Sequence, residues 1–171
     1  MAPKTKLLFL LAAILLRISE IAAQTTTGGD PSATEVALQN DFSGLVSELA
    51  TGNIETMDIL YFPGESPIAN TPDSLEKGYL YKLTVRYPRL MYRKSLLKEL
   101  QSIRINLSHN APDVKLALIF YDKTQARRLS LYFDLLDNTG VVSSPTSASW
   151  VTFEGGDVPK WFKENYAACL H

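Results

Sequence analysis

The side chains with the most chemical capacity in this chain are thinly spread. His109 lies in Ser108-His109-Asn110-Ala111-Pro112-Asp113, between a helical pattern and a strand pattern. An imidazole in such a loop is a candidate general base. Acyl transfer would also need a nucleophile and an orienting group beside it. The sequence has no Gly-x-Ser-x-Gly elbow and no phosphate-binding glycine loop. The hexapeptide is also rich in turn formers, so a solvated loop explains it without function. Glycoside hydrolysis needs two carboxyl groups about 5–9.5 Å apart. Asp58 and Asp134 both fall on strand patterns, and they are the pair such chemistry would use. The two histidines, His109 and His171, are far apart in sequence and form no metal-binding pair. No acidic cluster has calcium-loop spacing. Neither a metal nor a cofactor is expected.

Binding chemistry has a clearer pattern. Lys82, Thr84 and Arg86 alternate along one strand pattern, and Arg128, Ser130, Tyr132 and Asp134 along another. Alternate residues of a strand share a face. If the two strands lie close together, cations, hydroxyls and Tyr132 line one surface. Lys82, Thr84, Arg86, Arg128 and Tyr132 are therefore the candidate ligand-binding residues. Their chemistry suits an anionic glycan, a lipid headgroup or an acidic protein. The competing explanation is an ordinary solvated face, which antiparallel sheets commonly show.

Two further residues carry potential chemistry. Cys169 is the lone cysteine, which excludes an intrachain disulfide framework and any cysteine-rich zinc module. Trp161, Phe162 and Tyr166 nearby favour a buried thiol. Asn106-Leu107-Ser108 is a glycosylation sequon by pattern, relevant only to a chain that enters an endoplasmic reticulum.

The elements that must position these residues follow from periodicity. Ser32-Ala33-Thr34-Glu35 matches a helix capping box. Val36, Leu38, Phe42, Leu45, Val46 and Leu49 follow at near-helical spacing, and Gly52 supplies a left-handed stop. The pattern predicts an amphipathic helix over 33–50. A strand over 57–62 is ended by Pro63-Gly64. Thr71 to Gly78 reads as a one-turn helix with Pro72 in its first position. Residues 79–87 alternate most strictly, with Tyr79, Tyr81, Leu83, Val85 and Tyr87 on the face expected to be buried. Leu96, Leu97, Leu100, Ile103 and Leu107 form a helical stripe, predicting a helix over 93–105. Residues 114–121 are apolar on both faces except for Lys115 and read as a central strand. A polar turn then leads into a strand over 128–134. Asp137 to Gly140 reads as a turn, residues 149–153 as a short strand, and Asp157 as the start of a final helix.

This order does not alternate regularly enough for a parallel doubly wound sheet. It predicts an α+β fold: an antiparallel sheet of four to five strands with helices packed mainly on one face. A chain of 171 residues with 46% hydrophobic and 20% charged residues is too apolar for a disordered protein and too short for two ordinary domains.

The N-terminus reads as an address. Lys4 and Lys6 precede ten unbroken apolar residues, Leu7 to Leu16. Ten helical residues span roughly 15 Å, whereas a membrane crossing needs about 20 residues. The length suits a signal peptide, with the cut after Ala23. The expected organisation is a signal peptide over 1–23, a flexible leader over 24–31 and one domain over 32–171. The expected destination is the periplasm or the extracellular space, with no transmembrane span in the mature chain.

Charge is segregated. Gln24 to Glu76 holds nine acidic residues and no basic one, and Lys77 to Arg128 holds twelve basic and three acidic. Either these blocks neutralise each other in the fold, or the basic one faces an anionic partner. Removing residues 1–23 leaves 14 basic and 17 acidic residues, a net −3, which argues against nucleic acid as that partner. The function expected from the whole is an exported, non-catalytic binding domain. The alternatives are a small hydrolase using His109 or paired carboxylates, and a protein held on anionic membranes by the basic helix at 93–105. The last requires that helix to expose its leucines.

Overall fold

The structure is a computed structural model, and it describes residues 31–62, 72–86, 90–145 and 147–166. The segments expected as signal peptide and leader lie outside the described residues, apart from Pro31. So do Tyr87, Cys169 and His171. The elements below belong to a compact unit beginning at Thr34; α1 starts three residues earlier.

Helix α1 runs from Pro31 to Thr51. Proline suits a first helical turn because its missing N–H would have no partner there. Gly52 ends the helix at φ 82°, and Asn53 N–H donates to Glu48 O over five residues, a Schellman-type close. Strand β1 follows at Ile54–Tyr61, the short helix α2 at Pro72–Lys77 and strand β2 at Tyr81–Arg86. Helix α3 spans Leu90–Gln101 and β3 spans Arg104–Leu107. Then come β4 (Val114–Asp122), β5 (Arg127–Asp134), β6 (Thr139–Ser143), β7 (Ala148–Glu154) and α4 (Val158–Tyr166).

The seven strands among the described residues form one sheet in the order β2-β1-β4-β5-β6-β7-β3, and every neighbouring pair is antiparallel. The α+β class with an antiparallel sheet holds. The count of four to five strands does not, because two strands escaped the pattern. Ile103 and Leu107 continue the leucine stripe of α3, yet the helix stops at Gln101. Ile103 is a buried linker residue, and Leu107 falls in β3, where Ile105 is buried and Arg104 exposed. Strand β6 is five residues long and entirely buried, so it shows no alternation. Its first two residues, Thr139 and Gly140, were absorbed into the apparent turn. The left-handed residue at that turn is Asn138, at φ 59°.

Alternate residues of β4 divide between two buried clusters. Leu116, Leu118 and Phe120 join the larger cluster with Leu38, Phe42, Leu45 and Leu49 of α1, Leu96 and Leu100 of α3, and Trp161 and Phe162 of α4. Ala117 and Ile119, and Val114 beyond the register shift between Val114 and Leu116, join the smaller one with Leu60, Phe62, Tyr132, Val141 and Leu75 of α2. Because neighbours along a strand point to opposite faces, the two clusters lie on opposite sides of the sheet. The leucine stripe of α3 is therefore inward, with Leu100 fully buried.

Two adjacent glycines set the end of β7 against α3. Gly155 and Gly156 have φ of 76° and 64°, and a Cβ on either would lie 2.4 Å from a carbonyl of Ser102 or Glu99. Only glycine tolerates both the conformation and the approach. The turn delivers Asp157, whose N–H donates to Glu99 Oε2 and whose Oδ1 accepts Lys160 N–H at the start of α4.

Candidate functional site

The five candidate ligand-binding residues do not share one free surface. Lys82 and Thr84 lie on β2 opposite Leu60 and Asp58 of β1. Thr84 Oγ1 donates to Asp58 Oδ1 at 2.6 Å, and Lys82 Nζ lies 2.8 Å from Asp58 Oδ2. The hydrogen bond to Asp58 raises the Lys82 pKa above its ordinary value, although burial works against it. Arg86 is exposed, and no carboxylate pairs with it among the described residues. Tyr121, one strand away on β4, has its pKa raised by burial and by the Asp58 charge.

Arg128 turns elsewhere. The β4–β5 pairing slips between Phe120 and Tyr121, so Tyr121 opposes Arg127 while Phe120 opposes Leu129. This bulge takes Arg128 out of the simple alternation. Its guanidinium grips Glu48 of α1 with Nε at 3.1 Å and Nη2 at 2.6 Å. Arg127 takes the place expected for it, with Nη2 at 2.7 Å from both Tyr132 Oη and Glu76 Oε1.

Tyr132 is fully buried rather than displayed. Its hydroxyl donates to Glu76 Oε1 in a very short contact and accepts from Arg127. Burial, reinforced by the hydrogen bond to Glu76, pushes its pKa well up. Such a phenol is a poor acid and a poor nucleophile, so this cluster holds α2 on the sheet rather than offering a reactive group. A sequence signal for it existed: β4 is apolar on both faces, which demands cover over both, and β5 lies beside it.

Among the described residues, three ion pairs thus join the acidic block to the basic one: Asp58–Lys82, Glu76–Arg127 and Glu48–Arg128. These pairs neutralise part of the two blocks internally and leave Arg86 out.

The hydrolytic candidates are not brought together. Asp58 stands opposite Ile119 and Asp134 opposite Val114, so they sit five residues apart along β4, roughly 17 Å at strand rise. That exceeds the span over which paired carboxylates cleave glycosides. Asp134 is occupied structurally, accepting the N–H groups of Asp113 and Leu136. His109 is exposed in the loop between β3 and β4. No cluster of three or more His, Cys, Asp or Glu side chains able to hold a metal occurs among the described residues.

The feature that sequence reasoning missed lies on β2. Its apolar face was expected to be buried. Instead Tyr79, Tyr81 and Leu83 are exposed, by 37% to 41%, and Val85 is half-buried; Leu80, on the opposite face of the pattern, is exposed as well. The cause is position: among the described strands β2 is at the edge and pairs only with β1. Beside it a mostly apolar cavity of about 90 Å³ is lined by Ile59, Tyr61, Tyr81, Leu83, Phe162 and Tyr166, with Lys82 at its margin. Its aromatic wall is continuous, with ring centroids 6.3 Å apart for Tyr61–Tyr81, 5.7 Å for Tyr61–Phe162 and 6.4 Å for Phe162–Tyr166.

No known relative explains this arrangement. The chain matches no protein-family model, no curated protein and no solved structure. Its function must be argued from its own geometry. Among the described residues, no helix is long and apolar enough to cross a membrane.

Proposed function

We propose that this chain is an exported, non-catalytic binding domain whose binding surface is the β2 edge and the aromatic cavity beside it. In this reading α1, α3 and α4 form one layer over a single face of the sheet. At the β2 end of that layer α4 leaves the cavity between itself and the edge. The observation that carries the reading is the exposure of the strand with the strictest apolar alternation. Soluble proteins usually blunt edge strands or cover them, and contiguous exposed apolar surface commonly marks an interaction site. Export rests on the basic start and apolar run of residues 4–16.

The catalytic alternative lacks an assembled site, because Asp58 and Asp134 are held apart and His109 stands alone in its loop. The membrane alternative required exposed leucines on α3, and Leu96 and Leu100 are buried.

Two measurements test the proposal. N-terminal sequencing of the protein recovered outside the cytoplasm is expected to begin at Gln24; an intact Met1 in that fraction contradicts cleavage. Titration of the mature chain with the apolar dye anilinonaphthalene sulfonate is expected to give saturable enhancement at one dye per chain. Leu83→Lys should abolish it. Enhancement that survives this change, or none at all, contradicts the cavity as a binding surface.

A further inference from the structure

We propose that the occupant of the β2 edge is an extended peptide segment that alternates apolar and acidic residues and adds to the sheet as an eighth strand. The inference rests on reading this edge as the binding surface, and it names the chemistry of the partner.

Three observations define that chemistry. First, among the described residues β2 pairs with β1 alone. The opposite side of a strand presents backbone donors and acceptors to whatever lies beside it, and an extended peptide is the ligand that matches a whole row of them.

Second, the two faces of β2 differ in kind. Tyr81, Leu83 and Val85 stand opposite Tyr61, Ile59 and Met57, on the side of the large core and the cavity. A neighbouring strand would place every second side chain against this row, and an apolar one can enter the cavity. Lys82, Thr84 and Arg86 stand on the other side. The intervening side chains of the incoming strand would face these.

Third, the charge on that side is positive. Asp58 neutralises Lys82 but is itself almost covered, with 8% of its side chain exposed against 44% for Lys82. Arg86 has no carboxylate partner among the described residues. An incoming acidic residue would meet Lys82 from the solvent side and Arg86 without competition. A second copy of this chain fits less well. Paired antiparallel about Thr84, two β2 strands would set Lys82 against Arg86, and like charges directly opposite are destabilising.

The test is fluorescence anisotropy with two dye-labelled, end-capped peptides of eight residues, one alternating Val and Glu and one alternating Val and Lys. The mature chain is expected to bind the Val/Glu peptide at least tenfold more tightly, and added salt should narrow the gap. Arg86→Glu, an exposed change that leaves the core untouched, is expected to lower that preference at least tenfold. Leu83→Asp should lose both peptides while circular dichroism confirms the fold.

Equal or tighter binding of the Val/Lys peptide overturns the acidic partner yet leaves the edge as a binding surface. Failure of both peptides, with dye binding in the cavity intact, overturns strand addition. A chain that sediments as a dimer, and becomes a monomer on Leu83→Asp, assigns the edge to a second copy and overturns the proposal.

Discussion

Arg127 and Arg128 are consecutive residues whose guanidinium groups bind carboxylates on different elements. Arg127 holds Glu76 of α2, and Arg128 holds Glu48 of α1. The bulge opposite Tyr121 makes this divergence possible. The two pairs should differ in worth. The Arg127 pair is mostly covered and shared with buried Tyr132, whereas Arg128 is about half exposed. Hydrogen bonds to charged groups contribute about 1.5–3 kcal/mol, and exposed ion pairs about 0.2–1 kcal/mol. Arg127→Ala is therefore expected to cost about 2 kcal/mol in urea unfolding, and Arg128→Ala below about 1 kcal/mol. Equal costs would contradict the geometry.

Alkaline stability should depend on Tyr132. Burial and the hydrogen bond to Glu76 raise its pKa in the folded chain above the ordinary 10.0. Above that pH the unfolded chain releases a proton that the folded chain keeps. The Tyr132 contribution is complete below pH 10 and is lost as pH rises from there through the folded value. Lys82 acts in the same direction, its pKa raised above 10.5 by the hydrogen bond to Asp58. Tyr132→Phe should cost about 1–2 kcal/mol at neutral pH and flatten the fall in stability above pH 10. An unchanged alkaline slope would count against the buried phenol.

Ser130 offers a change in the opposite direction. Its hydroxyl is fully buried with no hydrogen-bond partner among the described residues. An unsatisfied buried polar group costs about 1–3 kcal/mol. Ser130→Ala is expected to raise stability by about 1 kcal/mol, read from the urea midpoint at unchanged slope. A loss of that size would mean that the hydroxyl is hydrogen bonded after all.

Gly140 in β6 leaves no room for a side chain. A Cβ there would lie 1.9 Å from Tyr132 O and 2.5 Å from the Phe153 ring. Gly140→Ala should destabilise by about 2–3 kcal/mol, because overpacking forces backbone shifts. Thermal unfolding would show it, and a neutral result would contradict the close pairing of β5 and β6.

Most elements were legible because periodicity and end signals agreed. Helix α1 declared itself through its stripe and Gly52, and β4 through its apolarity on both faces. What failed were junctions and neighbours. The stripe of α3 runs on through Ile103 to Leu107 of β3, because such apolar residues suit a helix face and a strand face alike. Strand β6 is too short and too buried to alternate. The candidate cationic face assumed an unbroken period through Arg128, and a bulge leaves no mark in hydrophobicity. Pairing order is a long-range property, so nothing in Tyr81 to Arg86 says that this strand ends the sheet. That one fact turns a predicted core face into exposed surface.

The open β2 edge is tested most directly by native-state hydrogen exchange, residue by residue. The outward amides of β2 are expected to exchange orders of magnitude faster than those of β4 and β5, and to become protected when the Val/Glu peptide is added. If all β2 amides are as protected as those of β4 in the free protein, the edge is already covered, and its role as a binding surface is contradicted.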